Sequence, residues 1–134
     1  MGVILMGFRF QGSVCSDLHD IKMFINKVLS YLEEILCDKN LMFDIRLILN
    51  ELIINGVIHG NKLNREKCVN LFLEIIEDSI RIEVVDEGQG FDFTIEDYDP
   101  MELKCCGRGL LIVNGLSDEV HIDKNKIVAI KYIS

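Results

Sequence analysis

Residues 47–62, LILNELIINGVIHGNK, place Glu51, Asn55 and His59 at intervals of four on an otherwise apolar background. On a helix turning ~100° per residue, positions four apart drift by only ~40°, so the three polar side chains share one narrow stripe. Glu51 can accept a proton or orient a nucleophile, and the amide oxygen of Asn55 is a hard ligand suited to Mg²⁺. His59 has no second ligand at a convincing metal spacing and reads as a helix-end histidine bonding local carbonyls. In DEGQGFD (86–92), Gly88 and Gly90 let the backbone turn sharply and approach a flat ligand closely. In GRGL, Gly107, Arg108, Gly109 and Leu110 open a helix whose free N–H groups and positive end suit phosphate oxygens. Singly, these features are more often those of turns, a satisfied helix amide and a strand-end carboxylate. The phosphate-loop pattern G-x-x-x-x-G-K-[ST] is absent, so a nucleotide site here would be of another type.

The elements that must position these residues follow from hydrophobic period. Residues 3–11 read as a strand, and 16–36 as an amphipathic helix capped by Ser16 or Asp17. A second helix runs from about Met42 to near Gly60, where glycine is the usual stop. Residues 69–76 and 80–86 alternate across a short EDS connection, a hairpin signal. Ile80, Ile82 and Val84 share a face, and the same period puts Asp86 on it. A carboxylate facing the apolar side is costly unless it is hydrogen-bonded to something specific. Residues 87–106, acidic and holding the only proline, Pro100, are long enough to be a lid. A helix begins at the glycines of GRGLLIVNGLSDEV, and 119–123 with 126–133 form a closing hairpin. This order predicts an α+β two-layer sandwich, with helices on one face of a mixed, mostly antiparallel sheet.

At 134 residues, with 49% apolar and 27% charged residues, the chain is expected to be one domain, residues 1–134, with a real core. No apolar run reaches the ~20 residues of a membrane span, and the start lacks a signal-peptide pattern, so a cytoplasmic protein is expected. A net charge of -8 argues against direct nucleic-acid binding and suggests, weakly, a basic protein partner. Five cysteines (15, 37, 68, 105 and 106) have no paired zinc spacing and read as reduced thiols. Cys105 and Cys106 read as small residues filling a loop or helix start rather than as an oxidant sensor.

Taken together and in order, NELIINGVIHGN, VVDEGQGF and GRGLLIVNGLSDEV resemble the GHKL group of ATP-binding domains found in histidine kinases, gyrase-type topoisomerases, mismatch-repair proteins and heat-shock chaperones. Within it the chain is most similar to the anti-sigma-factor serine/threonine kinases of bacteria. That resemblance implies ATP and Mg²⁺ as cofactors, Glu51 as general base and Asn55 as magnesium ligand. It implies Asp86 as the acid bonding the adenine amino group, with Gly88 and Gly90 walling the adenine pocket. By the same resemblance Gly107, Arg108, Gly109 and Leu110 hold phosphates under the 87–106 lid, and Lys62, Arg65 or Lys104 could assist Arg108. The implied partners are an anti-anti-sigma protein as substrate and a sigma factor, with the kinase a homodimer. Two features depart from the pattern: Gly56 stands where alanine is usual, and two cysteines precede Gly107. Two other activities remain open. One is a non-catalytic, nucleotide-gated binding module. The other is the catalytic domain of a histidine kinase, for which His19 is a poor phosphoacceptor because a strand, not a helix, precedes its helix.

Overall fold

A computed structural model describes residues 7–88 and 107–133, with side chains from Gly109 onward in the second segment. Its elements are β1 (Phe8–Cys15), α1 (Leu18–Glu33), α2 (Lys39–Asn55), a π-helical turn (Gly56–Gly60), β2 (Cys68–Ile76), β3 (Ser79–Val85), α3 (Gly107–Leu116), β4 (Glu119–Asp123) and β5 (Lys126–Tyr132). The strands form one sheet in the order β1-β2-β3-β5-β4. The α+β architecture expected from the sequence is present. No helix among the described residues is long and apolar enough to cross a membrane.

All four described strand pairings are antiparallel, so the mixed part of the expected sheet is absent from the described residues. Two helices lie between β1 and β2, which pair antiparallel. β3 and β4 run in the same direction, but β5 is inserted between them and pairs with both.

Local signals explain the helix starts. The Asp17 carboxylate caps α1 by accepting the N–H groups of His19 and Asp20 at 3.0 and 3.2 Å. Asp38 does the same for α2 through Asn40 and Leu41, at 2.9 and 3.1 Å. The helix therefore begins a turn before Met42, where the sequence reading set it, because Asp38 is separated from the apolar run by Lys39 and Asn40. The first strand runs to Cys15 rather than ending at Gln11, and residues 3–6 of the expected strand lie outside the described residues. Gly12 interrupts the alternation on paper. In the fold a Cβ at Gly12 would meet the rings of Phe10 and Phe24 at 3.0 Å, so aromatic atoms fill the space its missing side chain leaves.

The core is the layer between helices and sheet. Ile21, Leu29 and Leu32 of α1 and Ile45, Leu49 and Leu52 of α2 pack against Leu71 and Leu73 of β2 and Ile80 and Ile82 of β3. The opposite face of the sheet carries the alternate residues, among them Arg9, Cys15, Cys68 and Glu74. Burial of these apolar side chains fixes the register, because a one-residue slip would turn every one of them outward.

Candidate functional site

The candidate residues gather where the end of α2, the end of β3 and the start of α3 meet. Glu51 and Asn55 lie in the regular part of α2, one turn apart on one face. The turn that follows widens: the Asn61 N–H donates to the Gly56 carbonyl at 2.7 Å, closing an i→i+5 loop. Of the three residues expected on one stripe, Glu51 and Asn55 lie in the regular helix, while His59 lies within the π-turn and is part-exposed.

Asn55 is only 7% exposed, and its amide makes no hydrogen bond among the described residues. Glu51 is half-buried and faces the first turn of α3: a Cβ on Gly109 would lie 2.5 Å from Glu51 Oε2. Only a glycine there lets the helix start approach this carboxylate without displacing it. Leu110 is 1% exposed and packs in the core, which leaves only its backbone for any ligand.

Asp86 is turned inward as its strand period requires, with 8% exposure. Its Oδ1 accepts the Gly88 N–H at 2.7 Å, and Oδ2 accepts no hydrogen bond among the described residues. Three glycines enclose it. A Cβ on Gly60 would collide with the Asp86 carboxylate, one on Gly88 would collide with the Gly60 carbonyl, and one on Gly56 would lie 3.4 Å from Asp86 Cβ. Gly56, one of the two departures from the resembled pattern, thus faces the acid at close range. Burial holds the Asp86 carboxyl above its ordinary value of 3.8, against the opposing pull of the Gly88 N–H and the Lys67 cation. Its backbone is fixed from the far end of the chain: Asp86 N–H donates to the Asn125 carbonyl at 3.1 Å, and Asn125 Nδ2 donates back to the Asp86 carbonyl.

Two residues of this neighbourhood escaped the sequence reading. Asn61 is 1% exposed; its Nδ2 donates to the Cys68 carbonyl at 3.1 Å and to Ser16 Oγ at 3.4 Å, and its Oδ1 accepts the Glu87 N–H at 2.7 Å. It joins the end of the π-turn to the start of β2 and to the segment that carries Gly88. Lys67 is the cation that acts on Asp86. Of the basic residues expected to assist, Arg65 pairs with Asp17 at 3.7 Å and Lys62 sits exposed at φ 53°. Gly90, Lys104, the Arg108 side chain and the rest of the 89–106 lid lie outside the described residues, while Gly107 is the first residue of α3.

Chemically, the cluster offers a buried carboxylate with one unengaged oxygen, a buried amide with unengaged polar atoms, and a second carboxylate against a glycine-opened helix start. A flat heterocycle bearing an amino group suits the first, because an N–H donor would satisfy an acceptor already removed from water. An oxygen-coordinated cation suits the second. Among the described residues no three His, Cys, Asp or Glu side chains cluster as a metal site, so a cation here would need oxygens from its ligand as well.

The profile of the family described as histidine kinase-like ATPase domain matches residues 15–131, spanning every element from the end of β1 to β5. The serine-protein kinase RsbW of Staphylococcus aureus strain MSSA476 is 35% identical over 103 residues, 67% of this chain and 65% of that protein. The protein of the same name from strain JH9 matches with the same identity and coverage. The chain thus spans about 65% of the length of these relatives. With the family's profile covering residues 15–131, the chain belongs to the histidine kinase-like ATPase domain family.

Proposed function

We propose that this chain binds ATP with Mg²⁺ at the Glu51, Asn55 and Asp86 cluster and acts as a protein serine/threonine kinase and anti-sigma factor. Its substrate on this reading is an anti-anti-sigma protein, and the partner it sequesters is a sigma factor. The observation that carries the nucleotide site is Asp86, a buried strand-end carboxylate enclosed by glycines with one oxygen unengaged among the described residues. Its free oxygen accepts the adenine amino group, and Gly88 with Gly90 borders the ring. The kinase assignment draws on the family and on relatives named serine-protein kinase.

Each side chain then has a defined task. Asn55 holds the magnesium ion, which supplies positive charge beside the triphosphate in a protein of net charge -8. The backbone N–H groups of Gly107 to Leu110, with Arg108, hold phosphate oxygens at the start of α3. Glu51 takes the proton of the substrate hydroxyl as that oxygen attacks the γ-phosphorus, so catalysis is mostly positioning and charge stabilisation. The acidic surface favours a basic segment of the sigma factor and speeds its encounter more than it tightens the complex.

The test is phosphotransfer from γ-labelled Mg-ATP to candidate anti-anti-sigma proteins by wild type and by Glu51→Ala. Acid-stable label on serine or threonine, lost in the variant while nucleotide affinity is kept, is the expected result. Acid-labile label on His19 would favour a histidine kinase. Saturable ATP binding without label on any candidate would favour a nucleotide-gated binding module.

A further inference from the structure

Cys15, the last residue of β1, and Cys68, the first of β2, stand directly opposite each other in the sheet. Their sulfurs are 2.9 Å apart. The neighbouring position identifies the kind of pair. Ser16 N–H donates to the Lys67 carbonyl at 3.2 Å, whereas the Cys68 N–H turns away from Cys15 to Glu87 Oε2 at 2.5 Å. Cys15 and Cys68 therefore form a non-hydrogen-bonded pair, in which antiparallel Cα atoms are ~4.5 Å apart and side chains are closest. A disulfide bridges Cα atoms ~4.4–6.8 Å apart, so this position accepts one with the strands where they are.

Access differs between the two sulfurs. Cys15 is exposed on the sheet face away from the helices, and Cys68 is half-covered. The Cys68 thiol is pushed up to about 11, first by its hydrogen bond to Cys15, then by burial and by the Cys15 and Glu87 charges. An oxidant meets Cys15 first, and oxidation of Cys15 removes the hydrogen bond that most strongly holds the Cys68 proton. Cys37, the remaining described cysteine, lies exposed between α1 and α2, with no second cysteine opposite it among the described residues.

We propose that Cys15 and Cys68 are a reversible redox site, in which a hydroperoxide converts the two thiols to a cross-strand disulfide. Cys15 sulfur attacks one peroxide oxygen; the O–O bond breaks, and the leaving oxygen departs as alcohol or water with the Cys15 proton, giving a sulfenic acid. Cys68 sulfur then attacks the Cys15 sulfur, the S–O bond breaks, and the hydroxyl leaves as water with the Cys68 proton. Two electrons pass from the sulfurs to the peroxide, and a dithiol reverses the bond. The bridge would be anchored under the Asp86 segment, since Cys68 also accepts from Asn61 and donates to Glu87.

The full chain is treated with hydrogen peroxide, alkylated and mapped by mass spectrometry, with and without later dithiothreitol. Trypsin places Cys15, Cys37 and Cys68 on separate peptides, and Cys105 with Cys106 on a fourth. The expected product is an intramolecular Cys15–Cys68 peptide pair that dithiothreitol reverses, with Cys37 still alkylated. In Cys68→Ser, a sulfenic acid trappable by dimedone should accumulate on Cys15; in Cys15→Ser, Cys68 should stay alkylatable. The oxidised wild type should unfold at a higher temperature than the reduced protein, because the bridge closes a long loop in the unfolded chain. Over-oxidation of Cys15 with Cys68 still free, a bridge to another cysteine or to a second copy, or a lowered unfolding temperature would each overturn the proposal.

Discussion

Replacing Asn61 with alanine tests whether one buried amide holds together the segments that carry the site. The side chain is 1% exposed and makes a 2.7 Å bond from the Glu87 N–H, a 3.1 Å bond to the Cys68 carbonyl and a longer 3.4 Å bond to Ser16 Oγ. Each bond contributes about 0.5–1.5 kcal/mol net, and a buried partner left unsatisfied costs about 1–3 kcal/mol. Ser16 Oγ keeps its bond to the Lys67 carbonyl at 2.9 Å, so the Ser16 contact weighs least. The Cys68 carbonyl and Glu87 N–H, both only part-buried, carry the loss at about 1–2 kcal/mol each, which comes to about 2–4 kcal/mol. With an unfolding entropy of ~2.1 cal/mol/K per residue, a chain of 134 residues loses roughly 3–4 °C per kcal/mol, so the melting temperature should fall by roughly 7–14 °C. Thermal unfolding followed by circular dichroism reads this directly, and urea unfolding with an unchanged slope would confirm that the native state lost the energy. Nucleotide affinity should fall further than stability, because Glu87 and Gly88 would no longer be tied to the end of the π-turn. A melting temperature within roughly 2 °C of wild type would refute the reasoning, as it would mean that water replaces the amide at little cost.

Three other outcomes follow from the site. Asp86 has a native pKa raised by burial, so the folded chain binds its proton more tightly than the unfolded chain and the carboxylate costs stability as pH rises above 3.8. Asp86→Asn, which keeps an acceptor for the Gly88 N–H, should therefore match or exceed wild-type stability at neutral pH and lose that advantage on acidification toward the carboxylate range, while losing adenine-nucleotide binding by calorimetry. Asn55→Ala should weaken nucleotide binding only in the presence of magnesium; affinity with an unchanged magnesium dependence would refute its role as the cation's ligand. Gly109→Ala should leave the melting temperature close to wild type but push the flexible end of Glu51 aside, lowering the phosphotransfer rate more than nucleotide affinity.

Much of the site's skeleton was legible because it rests on local periods. The four-residue step from Glu51 to Asn55 needs only the α-helix, and the inward direction of Asp86 needs only the alternation of β3. The start of GRGL as α3 is likewise a matter of glycines before an apolar run. What escaped depends on contacts between distant segments. Asn61 follows Gly60 as an ordinary helix-end residue does, and nothing nearby says that its amide reaches Ser16, Cys68 and Glu87. The π-turn at Gly56–Gly60 is invisible to a fixed-period reading, which continued the regular helix to near Gly60. Gly12 hid the second half of β1, because the aromatic rings that compensate for it come from Phe10 and Phe24. The placement of β5 between β3 and β4 is a choice among pairings that hairpin signals do not rank.

That strand order bears on when the protein becomes competent during synthesis. Glu51 and Asn55 leave the ribosome early and lie on a helix whose cap and first turns need only local residues. Asp86 is held by Asn125, in the turn between β4 and β5, and β3 has an unpaired edge until β5 arrives. A nascent chain that has reached α3 therefore carries the glutamate and the asparagine but has no clamp on the aspartate's backbone. Its exposed β3 edge is also open to pairing with other chains. Assembly of the β4–β5 hairpin both covers that edge and fixes Asp86, so protection from aggregation and completion of the site come in a single folding step.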